Sequence, residues 1–271
     1  MPLIPMPLID VDRAPVAWRE AGQGEVLLFL HGLGLTRTSW DPQLGDLSDR
    51  WRCVAWDMPG YGMSSAVEPL TFVAIADAAA SLLDVLEVQR AHVCGLSFGG
   101  QQALHLALEH PDRVASLILA DTSSAFGADG TDPDAWLEAR LAPLEAGLTP
   151  ADFAQEVLCS VAGPDFGGDS LAAAVASFSR ITSAGLRAAC ECLQTHDVSG
   201  RLGEIAAPTL VVVGELDEET PLAYSRLLAD RIPNAELVVI GGVGHLSACE
   251  APEEFNSAVR RFLDDSGTVR P

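Results

Sequence analysis

Ala91-His92-Val93-Cys94-Gly95-Leu96-Ser97-Phe98-Gly99-Gly100 carries a short apolar run straight into a serine set between glycines. Ala91 to Cys94 has the length and composition of a buried strand, and Phe98 to Glu109 has helical spacing. Gly95 to Gly99 therefore fits G-x-S-x-G at a strand-to-helix turn. A residue on so sharp a turn has strained backbone angles, and the flanking glycines let neighbouring elements approach closely. The turn lifts the Ser97 hydroxyl above the sheet and aims the first helical N–H groups at whatever reacts there.

The rest of the chain repeats the strand-then-helix rhythm. Val26 to Leu30 stops at His31-Gly32, Cys53 to Trp56 at Asp57, and Ser116 to Ala120 at Asp121. Thr209 to Val213 stops at Gly214, and Glu236 to Ile240 at Gly241-Gly242. Helices are expected over Phe72 to Leu86, Phe98 to Glu109, Leu222 to Arg231 and Pro252 to Leu263. Alternation of this kind predicts an α/β fold with a mainly parallel sheet flanked by helices. Leu8 to Glu20 alternates weakly about Ala14-Pro15 and reads as an antiparallel hairpin at the sheet edge. Residues 122–195 break the rhythm: they hold helical patterns cut by Pro133, Pro143, Pro150 and Pro164, and no convincing strand. We expect a helical lid over 122–195 and a core made of 1–121 and 196–271. The plainer alternative is that these helices simply cover one sheet face.

Composition excludes several chemistries. The 271 residues include 38 acidic side chains against 16 basic ones, a net charge of −22, and every basic residue is Arg. Without Lys there is no Schiff-base amine, no pyridoxal-phosphate anchor and no P-loop lysine. So acidic a surface argues against nucleic acid and anionic lipid as partners. Codon bias from a GC-rich genome is the simplest source of the missing Lys, with salt adaptation a distant second. No apolar run is long enough to span a membrane, and Met1 to Pro5 lacks the features of a signal peptide. Six cysteines (Cys53, Cys94, Cys159, Cys190, Cys192 and Cys249) show no framework spacing, and Cys190 and Cys192 form a C-x-C without ligand partners. Reduced thiols in a cytoplasmic protein are the expectation, with no metal and no cofactor. Oligomeric state is not legible.

A serine hydroxyl needs a base to become a nucleophile at neutral pH. Of the six histidines, His245 follows the last strand in Gly241-Gly242-Val243-Gly244-His245, at the sheet edge where Ser97 also lies. His31 reads as a residue that orders the loop after the first parallel strand, and His92, His105, His110 and His196 as solvated or core histidines. The orienting carboxylate is expected to be Asp217, in Gly214-Glu215-Leu216-Asp217, with Asp121 as the runner-up. Glu215, Glu218 and Glu219 read as solvated. Ser97, Asp217 and His245 fall in the chain order of α/β-hydrolases, unlike the orders of chymotrypsin and subtilisin.

Over essentially its whole length the chain resembles an α/β-hydrolase. The resemblance rests on His31-Gly32-Leu33-Gly34, Asp57 to Ser64, Gly95 to Gly100, Pro111-Asp112-Arg113-Val114, Gly214 to Asp217 with Pro221, and Gly244-His245. It implies acyl transfer to Ser97, with His245 as base and then acid, and Asp217 holding the imidazole. The backbone N–H groups of Leu33 and Phe98 would hold the oxyanion. Serine at position 97 sets the chain apart from dehalogenases and epoxide hydrolases of this fold, which carry Asp there.

Gly95 to Gly100 and the tail from Gly244 through Phe255 are similar to 3-oxoadipate enol-lactonases, which open a small carboxylated enol-lactone in aromatic catabolism. Asp134 to Arg140 also resembles the Trp and Arg spacing of that family's lid. An anionic lactone would need a local cation, and Arg140 is the candidate, with Trp136 as an apolar wall and Arg180 and Arg187 as the other lid arginines. A solvated arginine beside a lid-core tryptophan is an equal alternative. A carboxylesterase or neutral-lactone hydrolase is the runner-up activity, ahead of a C–C bond hydrolase and a cofactor-free perhydrolase. A ligand receptor on the same fold is the non-enzymatic alternative.

Overall fold

A computed structural model of the chain describes residues 9–11 and 16–266. The turn at Ala14-Pro15 and the segment Met1 to Pro5 lie outside the described residues. The strands are β1 (Ile9–Val11), β2 (Trp18–Ala21), β3 (Val26–Leu30), β4 (Arg52–Trp56), β5 (Ala91–Leu96), β6 (Val114–Ala120), β7 (Thr209–Gly214) and β8 (Ala235–Ile240). They form one sheet in the order β1-β2-β4-β3-β5-β6-β7-β8. β1 pairs with β2 and β2 with β4 antiparallel, and every later pairing is parallel. The expected edge hairpin and the expected α/β-hydrolase fold are both present.

Burial explains the strand composition. All five residues of β3 are fully shielded, as are the four from Cys53 to Trp56, because helices cover both faces of a parallel sheet. Each such Leu, Val or Phe contributes roughly 1.5–3 kcal/mol on burial. The α-helices among the described residues are α1 (Asp41–Leu47), α2 (Phe72–Val85), α3 (Phe98–Glu109), α4 (Pro133–Glu145), α5 (Pro150–Val161), α6 (Gly168–Phe178), α7 (Ser183–Leu193), α8 (Leu222–Arg231), α9 (Ser247–Glu250) and α10 (Pro252–Ser266). α2 starts where the Thr71 hydroxyl accepts the Ala74 N–H at 3.1 Å, and it buries Phe72, Ile75, Ala76, Ala79, Leu82 and Leu83 along one stripe. α10 runs three residues past the expected end at Leu263. α1 and α9 were not legible: α1 contains Pro42 and Gly45, and α9 is a single turn.

Strand order reverses about β3, with β4 on one side and β5 on the other. The carboxyl ends of β3 and β5 thus flank a crevice, the usual ligand position in open α/β sheets. Residues 122–195 hold α4 to α7 and, among the described residues, no strand. The chain enters and leaves this insertion side by side. Ala125 and Asp197 form an antiparallel bridge, the Phe126 N–H donates to His196 O at 2.8 Å, and the Val198 N–H donates to Ser124 O at 2.8 Å.

Candidate active site

Ser97 sits between β5 and α3 with φ 55°, one of four non-glycine residues with positive φ among those described. Such a backbone is costly for a side chain other than glycine and persists only where the surroundings enforce it. They do so here by close packing: a Cβ on Gly99 would come within 2.0 Å of the Leu30 carbonyl oxygen. Gly99 thus lets α3 press against the end of β3, and Ser97 is left on the turn above both.

The loop after β8 brings His245 over this turn. Its Nε2 lies 2.8 Å from Ser97 Oγ, and its Nδ1 lies 2.9 and 3.0 Å from the two Asp217 carboxylate oxygens. A carboxylate can only accept, so Nδ1 carries the proton, Nε2 is the acceptor, and the Ser97 hydroxyl donates to it. Asp217 is itself held by its own turn. Its Oδ1 accepts the Glu219 and Thr220 N–H groups at 2.9 Å, and its Oδ2 accepts the Thr220 hydroxyl at 2.8 Å. Burial opposes the Asp217 charge, but the His245 imidazole and these hydrogen bonds outweigh it and hold the carboxyl below its usual range. Burial likewise opposes an imidazolium at His245, and the Asp217 charge, with Asp121 and Glu219 further off, reverses the sign and raises its pKa. An imidazole so placed can take the Ser97 proton and keep the resulting charge beside a carboxylate.

Asp121, the alternative acid, makes no such contact. It is fully buried, and its carboxylate accepts the Gly214 N–H and the Ser247 N–H, each at 2.9 Å. It therefore ties the end of β6 to the end of β7 and to the start of α9, two residues past His245. Burial, then the nearby Asp217 charge, pushes its carboxyl up. Glu250 braces the same loop by accepting the Gly163, Gly244 and Leu246 N–H groups at 2.8, 3.0 and 2.9 Å.

On the other side of Ser97 stands the loop after β3. His31 is fully buried: its Nδ1 donates to Gly32 O at 2.9 Å and its Nε2 accepts the Met58 N–H at 3.1 Å. It joins the ends of β3 and β4, in keeping with its expected ordering role. The Tyr61 hydroxyl donates to Leu33 O at 2.7 Å, which fixes the peptide around Leu33. Leu33 lines the cavity above Ser97, and Phe98 is the first residue of α3. The next turn holds a buried ion pair that sequence did not reveal: Arg37 binds Asp57, which also accepts the Arg37 and Met63 N–H groups at 2.9 and 3.0 Å.

Ser97 and His245 open on a cavity of about 340 Å³ between these loops and α4 to α7. Phe153, Leu158, Phe178 and Leu186 supply apolar walls, and Trp136, in T-shaped contact with Phe126, adds another. Arg140 also lines it, but its Nη2 is 3.0 Å from a Glu219 carboxylate oxygen, and its guanidinium lies 5.5 Å from the Trp136 ring centre. Arg187 pairs with Glu145 instead, and Arg180 is exposed and outside the cavity lining. The three glutamates expected to be solvated are exposed, yet two of them also make contacts: Glu219 reaches Arg140 on α4, and Glu215 accepts the Gly242 N–H at 3.0 Å. Cys190, at the cavity wall, has its thiol pushed up to about 12 by burial. No group of three or more His, Cys, Asp or Glu side chains among the described residues could hold a metal ion.

A sequence model of the alpha/beta hydrolase family matches residues 27–258. The chain belongs to that family. This hydrolase is 34% identical over 251 residues to RutD of Caulobacter sp. (strain K31), provisionally named a carbamate hydrolase, covering 90% of this chain and 92% of that one. It is 30% identical over 241 residues to 3-oxoadipate enol-lactonase 2 of Acinetobacter baylyi, covering 88% of each, so the expected likeness to that family stands. A thermophilic esterase from Thermogutta terrifontis superposes with a TM-score of 0.83 at 28% identity, over 96% of this chain and 99% of the other. These relatives and the structural neighbour are hydrolases, a lactonase and an esterase among them, and this chain is an enzyme of the same hydrolase family. No helix among the described residues is long and apolar enough to cross a membrane.

Proposed function

We propose that this hydrolase cleaves a small carboxylic ester or lactone through an acyl-Ser97 intermediate, with Ser97, His245 and Asp217 as its catalytic triad. The supporting observation is the 2.8 Å contact of Ser97 Oγ with a His245 Nε2 whose other nitrogen is held by Asp217, at the floor of a mostly apolar cavity. Ser97 Oγ attacks the acyl carbon while its proton passes to Nε2. The N–H groups of Leu33 and Phe98 hold the carbonyl oxygen as it gains charge, each worth roughly 3 kcal/mol in the transition state. The imidazolium then gives its proton to the departing oxygen, which in a lactone stays tethered to the acyl chain. Water, deprotonated by the same imidazole, releases the acid and restores Ser97.

In this reading residues 122–195 are a lid and residues 1–121 with 196–271 the core that carries the triad. A small carboxylated enol-lactone is the finer expectation, with the enol-lactonase relatives on its side and the Glu219 side chain on Arg140 against it. A carbamate carbonyl suits the same attack and has the RutD relative on its side.

Fluorophosphonate labelling and a substrate panel test the proposal. The panel holds a short aryl ester, a neutral lactone, a carboxylated enol-lactone and an aryl carbamate. The wild type should be labelled at Ser97 and should turn over at least one member, and Ser97→Ala should lose at least ~10⁴-fold in kcat. A folded protein that takes no label, or an alanine variant within tenfold of wild type, would overturn it.

A further inference from the structure

The cavity carries one feature that the triad does not use. Among the charged residues that line it, leaving His245 aside, Arg140 is the one cation and Asp129, Glu218 and Glu219 are the carboxylates. Glu219 is built into place. Its backbone N–H donates to Asp217 Oδ1 at 2.9 Å, so the turn that forms around the triad acid also fixes the residue beside Arg140. Arg140 comes from α4, is steadied by Trp136 one helical turn before it, and meets Glu219 at 3.0 Å. Both side chains are partly open to solvent, 29% and 40% exposed, so the pair is not a deep structural bond.

A substrate carboxylate that reached Arg140 would have to share one guanidinium with Glu219. It would also face Asp129 and Glu218, and apart from His245 no second cation among the described lining residues offsets them. An uncharged acyl chain meets none of these costs and gains the apolar walls. We propose that Glu219 is a specificity-determining residue, which by occupying Arg140 reserves the site for uncharged esters and lactones. The inference rests on the ester-hydrolase reading above and narrows its substrate class.

Two matched aryl esters decide it: 4-nitrophenyl butyrate and the mono-4-nitrophenyl ester of succinic acid, which ends in a carboxylate. The readout is the ratio of their kcat/KM values, in which any change common to both, such as a shift at His245, cancels. The wild type should favour butyrate by more than tenfold. Glu219→Gln should cut that preference at least tenfold, chiefly through a lower KM for the succinate ester. Adding Arg140→Gln to that variant should restore the preference for butyrate. A wild type that prefers the succinate ester, or a ratio unmoved by Glu219→Gln, would overturn the inference. Loss of fluorophosphonate labelling at Ser97 would instead sink the hydrolase mechanism on which it stands.

Discussion

His245 and His196 are both buried imidazoles, and their proton affinities move in opposite directions. His245 faces Asp217, with Asp121 and Glu219 behind it, and is raised. His196 touches His105 at 3.2 Å, the Ser123 carbonyl at 3.0 Å and the Phe72 ring, and both histidines of that pair are driven down to about 4, first by burial. One cluster favours a charge on the imidazole, which the proposed mechanism would form and discharge within a turnover. The other is a neutral plug where the insertion returns to the core. What a buried imidazole does is decided by the groups facing it more than by its depth.

The largest effect should come from making the first cluster resemble the second. Asp217→Asn leaves the contacts but removes the charge and inverts the hydrogen bond to Nδ1. We expect kcat to fall by roughly 10⁴-fold. The surviving activity should also change its pH dependence. His245 works as a base only when neutral, and its raised pKa places the acid limb of the profile high; without Asp217 that limb should move to lower pH. A kcat/KM profile for both proteins checks the sign, and an unmoved limb would mean that Asp217 does not set the His245 proton affinity.

The second cluster should show itself as acid lability. The unfolded chain protonates these imidazoles near 6.5 and the folded one near 4, so the unfolded state binds more protons between those values. Stability should therefore fall as pH drops from about 6.5 to 4, by on the order of 3 kcal/mol for His196. Urea melts across this range should flatten in His196→Gln, which has no proton to gain there; an unchanged slope would place the acid lability elsewhere.

The smallest effect sharpens the boundary of the first cluster. Asp121→Asn turns one of two acceptors toward the Gly214 and Ser247 N–H groups into a donor, leaving a buried bond unmade at a cost of about 1–3 kcal/mol in stability. It touches no reacting atom, so kcat should drop about tenfold at most. A loss comparable to that in Asp217→Asn would show that Asp121 shares the acid's role.

Much of this was readable from local pattern. β3 is the same five residues in sequence and structure because a fully shielded strand is a continuous apolar run, and α3 has its expected bounds because glycine and proline mark its ends. The meeting of Ser97, His245 and Asp217 was legible because each follows a strand on the same edge. Partners contributed by distant segments were not. Arg37 and Asp57 look like surface charges until the loops after β3 and β4 meet, and nothing near Glu219 in sequence points to an arginine on α4. Arg140 was picked out by the likeness of its segment to the enol-lactonase lid, yet its availability depends on a side chain 79 positions away.

The paired segments Ser124 to Phe126 and His196 to Val198 have an evolutionary consequence. β6 and β7 are neighbours in the sheet whatever lies between them, and the backbone bonds at this neck ask little of the side chains. The walls that α4 to α7 give the cavity can therefore be rewritten, lengthened or exchanged while Ser97, Asp217 and His245 keep their places. On the proposed triad, a new substrate then asks for change mainly in one continuous segment and leaves the reacting groups alone.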